Sequence, residues 1–166
     1  MPVRFREGMQ LKRTAVSRPG QRKTSTLERA IEIAAKNHAG QRDKGGHPYV
    51  LHPLRLMLAM QSPHERMAVV LHDVVEDTLV TLKDLEAEGF PPEVLAAVEA
   101  LTKREGEERL AAASRAARNP IARAVKLADV ADNMDLRRIP DPTEKDFARL
   151  KEYEQVRALL LSQQSA

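Results

Sequence analysis

The sequence predicts an all-α fold, a single-domain helical bundle. Three observations carry this. Apolar residues recur at helical spacing through almost all of the chain after residue 25. Strand-like alternation is scarce, and no internal repeat is visible. Capping residues and Pro/Gly breaks cut the pattern into helix-sized segments. The 166 residues suit one compact domain with a real core.

Taken in order, Ser25 or Thr26 can cap a first helix with Leu27, Ala30, Ile31, Ala34 and His38 on one face. The stretch AGQRDKGGHPYV then places three glycines and a proline in a loop. HPLRLMLAM restarts a helix, with Pro53 suited to its first turn. SPHE is a capping box, Ser62 at the N-cap and Glu65 at N3. The helix it opens is expected to run through Met67, Val70, Leu71 and Val74 towards Thr78. Thr81 and Asp84 start a short helix that Gly89 ends. Residues 92–102 and 106–118 read as helical, and Asn119-Pro120 punctuates the chain. A helix with Ile121, Ala124, Val125, Leu127 and Ala128 follows, IPDPT breaks it, and residues 143–163 form the last.

Charge is distributed unevenly. Residues 1–25 hold seven Lys/Arg and one acid, whereas the remainder is slightly acidic. The high isoelectric point of 9.3 therefore belongs to the start of the chain. Residues 1–24 read as a basic, flexible tail preceding a domain at 25–166. Such a tail can hold nucleic acid weakly, but apart from Phe5 it lacks aromatics to stack on bases. Cysteine is absent, which excludes disulfides and thiolate chemistry. No apolar run approaches membrane-spanning length and no signal-peptide core is present, so a cytoplasmic protein is expected.

The run LHDVVEDT sets His72, Asp73, Glu76 and Asp77 against Leu71, Val74 and Val75. On a helix at 100° per residue all four polar groups share one side. A solvated face would mix in cations, yet none lies between Arg66 and Lys83. Crowded acids of this kind invite a bound cation. In KLADVADNMD, Asp129, Asp132 and Asn133 share a second face. Asp129 follows an apolar stretch and needs a partner, either Lys126 or a metal. His52 stands before Pro53 at a helix start. Together His52, His72, Asp73 and Asp129 offer two imidazoles and two carboxylates, a donor set suited to Mn²⁺ or Fe²⁺.

The order His52, His72-Asp73, Asp129 matches the HD phosphohydrolase pattern. HAGQRDKGGHPYVLHP, LHDVVEDT, LTK and VKLADVADNM closely resemble the hydrolase domain of the RelA/SpoT family, over about residues 26–160. The likeness is greatest to its small, stand-alone alarmone hydrolases. It implies an HD-type bundle in which His52, His72, Asp73 and Asp129 hold one Mn²⁺, or Fe²⁺ or another divalent ion. Glu76 and Asp77 match the acidic pair that positions and deprotonates the attacking water. Arg42, Lys44 and Asn133 match positions expected to contact the nucleotide. The implied reaction removes the 3′-pyrophosphate from guanosine tetra- and pentaphosphate, (p)ppGpp, and no synthetase activity is expected. The implied partner is this small-molecule nucleotide, with no membrane and a homo-oligomer possible.

Two departures stand out. Asp43 interrupts the basic pair of the loop, and Asp135 replaces a family cation after Asn133-Met134. Both acids are expected to face the substrate, so Asp43→Arg is expected to improve affinity. They favour a rival substrate, an adenosine alarmone or a nucleotide cofactor. A non-catalytic nucleotide-binding module is the remaining alternative, and the Glu76-Asp77 pair argues against it. His38 reads as a packed core histidine, His47 as a loop residue edging the pocket, His64 as exposed and Tyr49 as loop packing.

Overall fold

A computed structural model of the chain describes residues 24–163. The tail expected at 1–24 lies outside the described residues, apart from Thr24. Nine α-helices make up the described part: α1 (Leu27–Asn37), α2 (Leu51–Ala59), α3 (Pro63–Leu71), α4 (Val74–Asp77), α5 (Leu82–Ala87), α6 (Pro92–Leu101), α7 (Arg109–Ala117), α8 (Pro120–Asn133) and α9 (Glu144–Ser162). A 3-10 turn at Leu136–Arg138 links α8 to α9. No strand occurs among the described residues, only one bridge between Arg42 and Pro48 that pinches the loop after α1. The all-α expectation holds.

Caps explain most of the helix starts. Thr26, rather than Ser25, accepts the Arg29 N–H at 3.3 Å. Ser62 with Glu65, Thr81 with Asp84, and Thr143 with Asp146 all form capping boxes. Asn119 caps α8 through the Ala122 N–H at 3.0 Å. Gly89 takes φ +86° just beyond α5, where a side chain would be strained.

Helix α3 is the central element. Met67 to Leu71 are five successive buried residues, so it is apolar on every side. It packs against α1, α2, α6 and α8. A second, smaller apolar cluster of Ala113, Ala117, Val130, Val156 and Leu160 fastens α9 to α7 and α8.

One expected element is corrected. The helix foreseen from Ser62 to Thr78 stops at Leu71 and resumes as α4 at Val74. His72 and Asp73 keep helical dihedrals, φ −61°, ψ −37° and φ −92°, ψ −10°. The regular helix is therefore interrupted at the His-Asp pair without a glycine or proline. The helix expected at 106–118 is also shorter, beginning at Arg109.

Candidate metal centre and cleft

His72 stands where α3 leaves the core and is 4% exposed. Its Nδ1 lies 2.6 Å from the Val69 carbonyl. A carbonyl only accepts, so Nδ1 carries the proton and Nε2 presents a lone pair. That Nε2 is buried without a hydrogen-bond partner, 3.1 Å from Asp73 Oδ2. His52, in the first turn of α2 and 6% exposed, places Nδ1 2.7 Å from Asp132 Oδ2. Its Nε2 faces Asp129 Oδ1 at 3.4 Å and Asp73 Oδ2 at 3.8 Å. Ligand atoms of His52, His72 and Asp73 all lie within 4.8 Å of one another. Asp129, from α8, joins this group through His52.

Two imidazole nitrogens and two carboxylates thus converge from α2, the end of α3 and α8. An orphaned, buried Nε2 beside a carboxylate is what a cation would satisfy. The mixed N/O set suits a borderline or hard divalent ion, and the residues present fit such a group. The electrostatics agree. Burial opposes protonation of His52, but Asp129, Asp73 and Asp132 outweigh it and raise its pKa. Burial also disfavours the charged form of Asp129, yet Lys126 and the two histidines hold its carboxyl far below the usual range.

Asp129 has the lysine partner that its position demanded. Lys126 Nζ lies 2.8 Å from Oδ2, and Asn133 donates to Oδ1 at 2.6 Å. Tyr49 does more than pack its loop. Its hydroxyl donates to Asp73 Oδ2 at 2.5 Å, and burial together with the Asp73 charge keeps it a phenol.

The centre opens into a cleft of about 360 Å³. Glu76 and Asp77 line it, both exposed, one turn beyond the centre. Glu76 Oε2 accepts the Lys103 N–H at 2.9 Å, and Oε1 takes no part in that bond. Partial burial, then the charges of Asp73 and Glu76, raise the pKa of Asp77. Arg42, Lys44 and Asn133 line the cleft. Arg42 also donates to the Gly46 carbonyl at 2.7 Å, and Lys44 pairs with Asp146 across to α9.

The two departures are corrected by their partners. Asp43 borders the cleft, but its side chain is only 10% exposed. Its Oδ1 accepts the His47 N–H at 2.9 Å, and its Oδ2 lies 3.6 Å from Arg138 Nη1. Asp43 is thus a loop cap tied to an arginine. Asp135 does not line the cleft. It caps the 3-10 turn and binds the Arg137 guanidinium at 2.7 and 2.8 Å, which brings its pKa down to about 2. His47 is likewise absent from the lining, and His64 is half-buried rather than exposed. His38 is a packed core histidine, with Nδ1 2.8 Å from Gln41 Oε1.

Sequence reasoning missed Arg55, Asp132, Arg138 and Arg149 as parts of the site. Arg149 and Tyr153 come from one face of α9, four residues apart. Arg149 has no hydrogen-bond or ion-pair partner among the described residues. Helical spacing could have paired these two, but nothing local placed α9 over the cleft.

The sequence profile of the HD domain matches residues 30–137. A GTP pyrophosphokinase of Streptomyces coelicolor is 38% identical over 127 residues, 67% of this chain and 15% of that protein. A probable GTP pyrophosphokinase of Mycobacterium leprae is 35% identical over 142 residues, 77% of this chain and 18% of that one. A guanosine-3′,5′-bis(diphosphate) 3′-pyrophosphohydrolase of Aquifex aeolicus is 38% identical over 81 residues, 46% and 12% respectively. The chain thus spans less than a fifth of the length of these curated relatives. A solved structure of a metazoan SpoT ortholog that hydrolyses ppGpp superposes with a TM-score of 0.66 at 25% identity, covering 89% of this chain and 88% of that one. The chain belongs to the HD-domain family, and its relatives within it are the RelA/SpoT proteins.

Proposed function

We propose that this chain is a divalent-metal-dependent hydrolase that removes the 3′-pyrophosphate from (p)ppGpp, giving GDP or GTP and pyrophosphate. One observation carries the reading. A largely buried His52, His72, Asp73, Asp129 cluster opens directly onto a cleft that also holds an exposed acidic pair and several cations. The pyrophosphohydrolase name of the Aquifex relative and the ppGpp hydrolysis named for the metazoan ortholog support the substrate.

In this reading His52, His72, Asp73 and Asp129 hold one ion, Mn²⁺ or failing that Fe²⁺ or another divalent metal. When bound, such an ion supplies Lewis acidity towards a phosphate oxygen and makes a neighbouring water more acidic. The chain's own groups do the rest. Glu76, anchored by the Lys103 amide, orients the water through its second oxygen. Asp77, whose pKa is raised, accepts the water's proton as the new O–P bond forms and the bond to the 3′ oxygen breaks, and the departing 3′ oxygen takes up a proton from solvent to become the 3′ hydroxyl. Arg149 meets phosphate charge without first losing a partner, whereas Lys44 exchanges Asp146 for it. Asn133 keeps Asp129 oriented while bordering the substrate.

The hydrolase domain is then residues 25–166, preceded by the basic tail 1–24. No helix among the described residues is long and apolar enough to cross a membrane. A small-molecule nucleotide met in the cytoplasm is the proposed partner. The acids that favoured an adenosine or cofactor substrate are engaged by Arg138 and Arg137, so they no longer argue for that rival.

The test is a panel of 3′-pyrophosphorylated and ordinary nucleotides, assayed with Mn²⁺ and after chelation. Pyrophosphate release from guanosine tetraphosphate should dominate and vanish on chelation. Glu76→Gln and Asp77→Asn should each lower turnover by about 10²–10⁴-fold, with affinity little changed. Preference for an ordinary nucleotide, or wild-type turnover in both variants, would overturn the assignment.

A further inference from the structure

We propose, on the divalent-metal reading given above, that Asp132 is a positioning residue that fixes the His52 ring so that Nε2 faces the metal centre. Nothing in the motif itself requires this residue. His52 Nδ1 lies 2.7 Å from Asp132 Oδ2. An ionised carboxylate only accepts, so Nδ1 carries the proton, and in the neutral ring Nε2 keeps its lone pair. That lone pair points to the side where Asp129 Oδ1 and Asp73 Oδ2 stand, 3.4 and 3.8 Å away. With the opposite tautomer, Nε2–H would bond Asp129, and a cation would lose one imidazole and compete for one carboxylate. The Asp132 contact selects against that arrangement.

Asp132 is itself held from two sides. Arg55, one turn after His52 on α2, donates to Oδ1 at 3.2 Å and to Oδ2 at 3.1 Å. Arg138, on the 3-10 turn, reaches Oδ2 at 3.1 Å and the Asp132 carbonyl at 2.7 Å. Two guanidiniums fix the plane of this carboxylate and keep it charged. A residue serving only to join Arg55 and Arg138 would have no need of the imidazole. Yet the contact to His52 is the shortest that the Asp132 side chain makes. A carboxylate behind a metal-bound histidine orients the ring and raises its basicity, commonly worth 10–100-fold in metal affinity.

The experiment uses the full chain. Mn²⁺ binding is titrated calorimetrically in wild type, Asp132→Ala and Asp132→Asn. The asparagine variant keeps the shape should the alanine variant not fold. In parallel, the His52 tautomer is read by long-range ¹H–¹⁵N correlation in metal-free protein, at alkaline pH where imidazoles are neutral. Wild type should show the Nδ1–H form. Asp132→Ala should show a mixture and a Mn²⁺ dissociation constant raised about 10–100-fold, with Asp132→Asn near the lower end. Wild-type affinity and an unchanged tautomer in a folded variant would overturn the positioning role, even if the melting temperature fell. Absence of Mn²⁺ binding in wild type would instead overturn the metal reading, and the tautomer would still report whether Asp132 holds the ring.

Discussion

Asp43→Arg reverses sign between the sequence and the structure. On the sequence, it restores a cation to a phosphate-binding loop and should tighten binding. In the structure, it removes a charge-assisted bond to the His47 N–H, 2.9 Å long, worth about 1.5–3 kcal/mol. It also exchanges a pairing with Arg138 at 3.6 Å for a like charge. At an effective dielectric of about 20, two unit charges about 4 Å apart cost at most about 4 kcal/mol. A long arginine can swing outwards, so about 1 kcal/mol of that survives. The closed loop should therefore lose about 2–4 kcal/mol. Loop residues Arg42 and Lys44 then lose their fixed place, so KM for the nucleotide should rise about tenfold or more while kcat changes less. Thermal unfolding should shift by up to about 5–15 °C if the loss is transmitted globally, at about 2–4 °C per kcal/mol for this size. Asp43→Asn, which keeps an acceptor for His47, should lose only about 1 kcal/mol. Steady-state kinetics at fixed salt and a melting curve are sufficient assays. A lower KM for the arginine variant with an unchanged melt would show that Asp43 does not cap this loop.

Other outcomes follow from the same geometry. Asp73→Ala should abolish Mn²⁺ binding measured by calorimetry, because this carboxylate faces both histidines; retained metal content would remove Asp73 from the ligand set. Lys126→Met leaves Asp129 buried with fewer partners and should destabilise chelated protein by about 1–3 kcal/mol, below the full cost of a broken buried pair because Asn133 remains. Saturating Mn²⁺ should restore most of that, and a denaturant melt showing no metal-free loss would refute the pairing. The raised pKa of His52 predicts a pH effect in chelated protein. Its contribution is fully present below the ordinary value of 6.5 and is lost as pH rises through the higher folded value. His52→Gln should flatten that limb of the stability–pH curve; an unchanged curve would show that His52 does not gain protons on folding. Gly45→Ala places a Cβ 2.4 Å from the Arg138 carbonyl, so the loop must shift and KM should rise; unchanged kinetics would mean the contact is not maintained in solution.

The helices and caps were legible because their signals are local. Ser62-Glu65 and Thr81-Asp84 announce their boxes within four residues. The four ligand candidates could be proposed from the sequence because two histidines and two aspartates stand at the places of one short motif. The interruption at His72-Asp73 was not legible, since neither residue breaks a helix by propensity and packing decides the path. Asp43 misled for a related reason. Its neighbours in sequence are cations of a loop, but its partner Arg138 lies 95 positions later and belongs to the 3-10 turn. Asp132 was visible on the face of Asp129, yet its role depends on His52 and Arg55 arriving from α2. Pairings across such separations are set by tertiary packing, which no local pattern encodes.

The separate apolar cluster beneath α9 has a consequence for the order in which the molecule comes apart. The main core, around α3, does not include Val156 or Leu160. A helix docked on its own small cluster forms a natural unit of sub-global opening, released at lower free energy than the body it rests on. Asp146, Arg149 and Tyr153 would leave with it, while His52, His72, Asp73 and Asp129 stayed assembled. Amide exchange along α9 should accordingly run faster than along α3, and a nucleotide bridging the two walls should slow it.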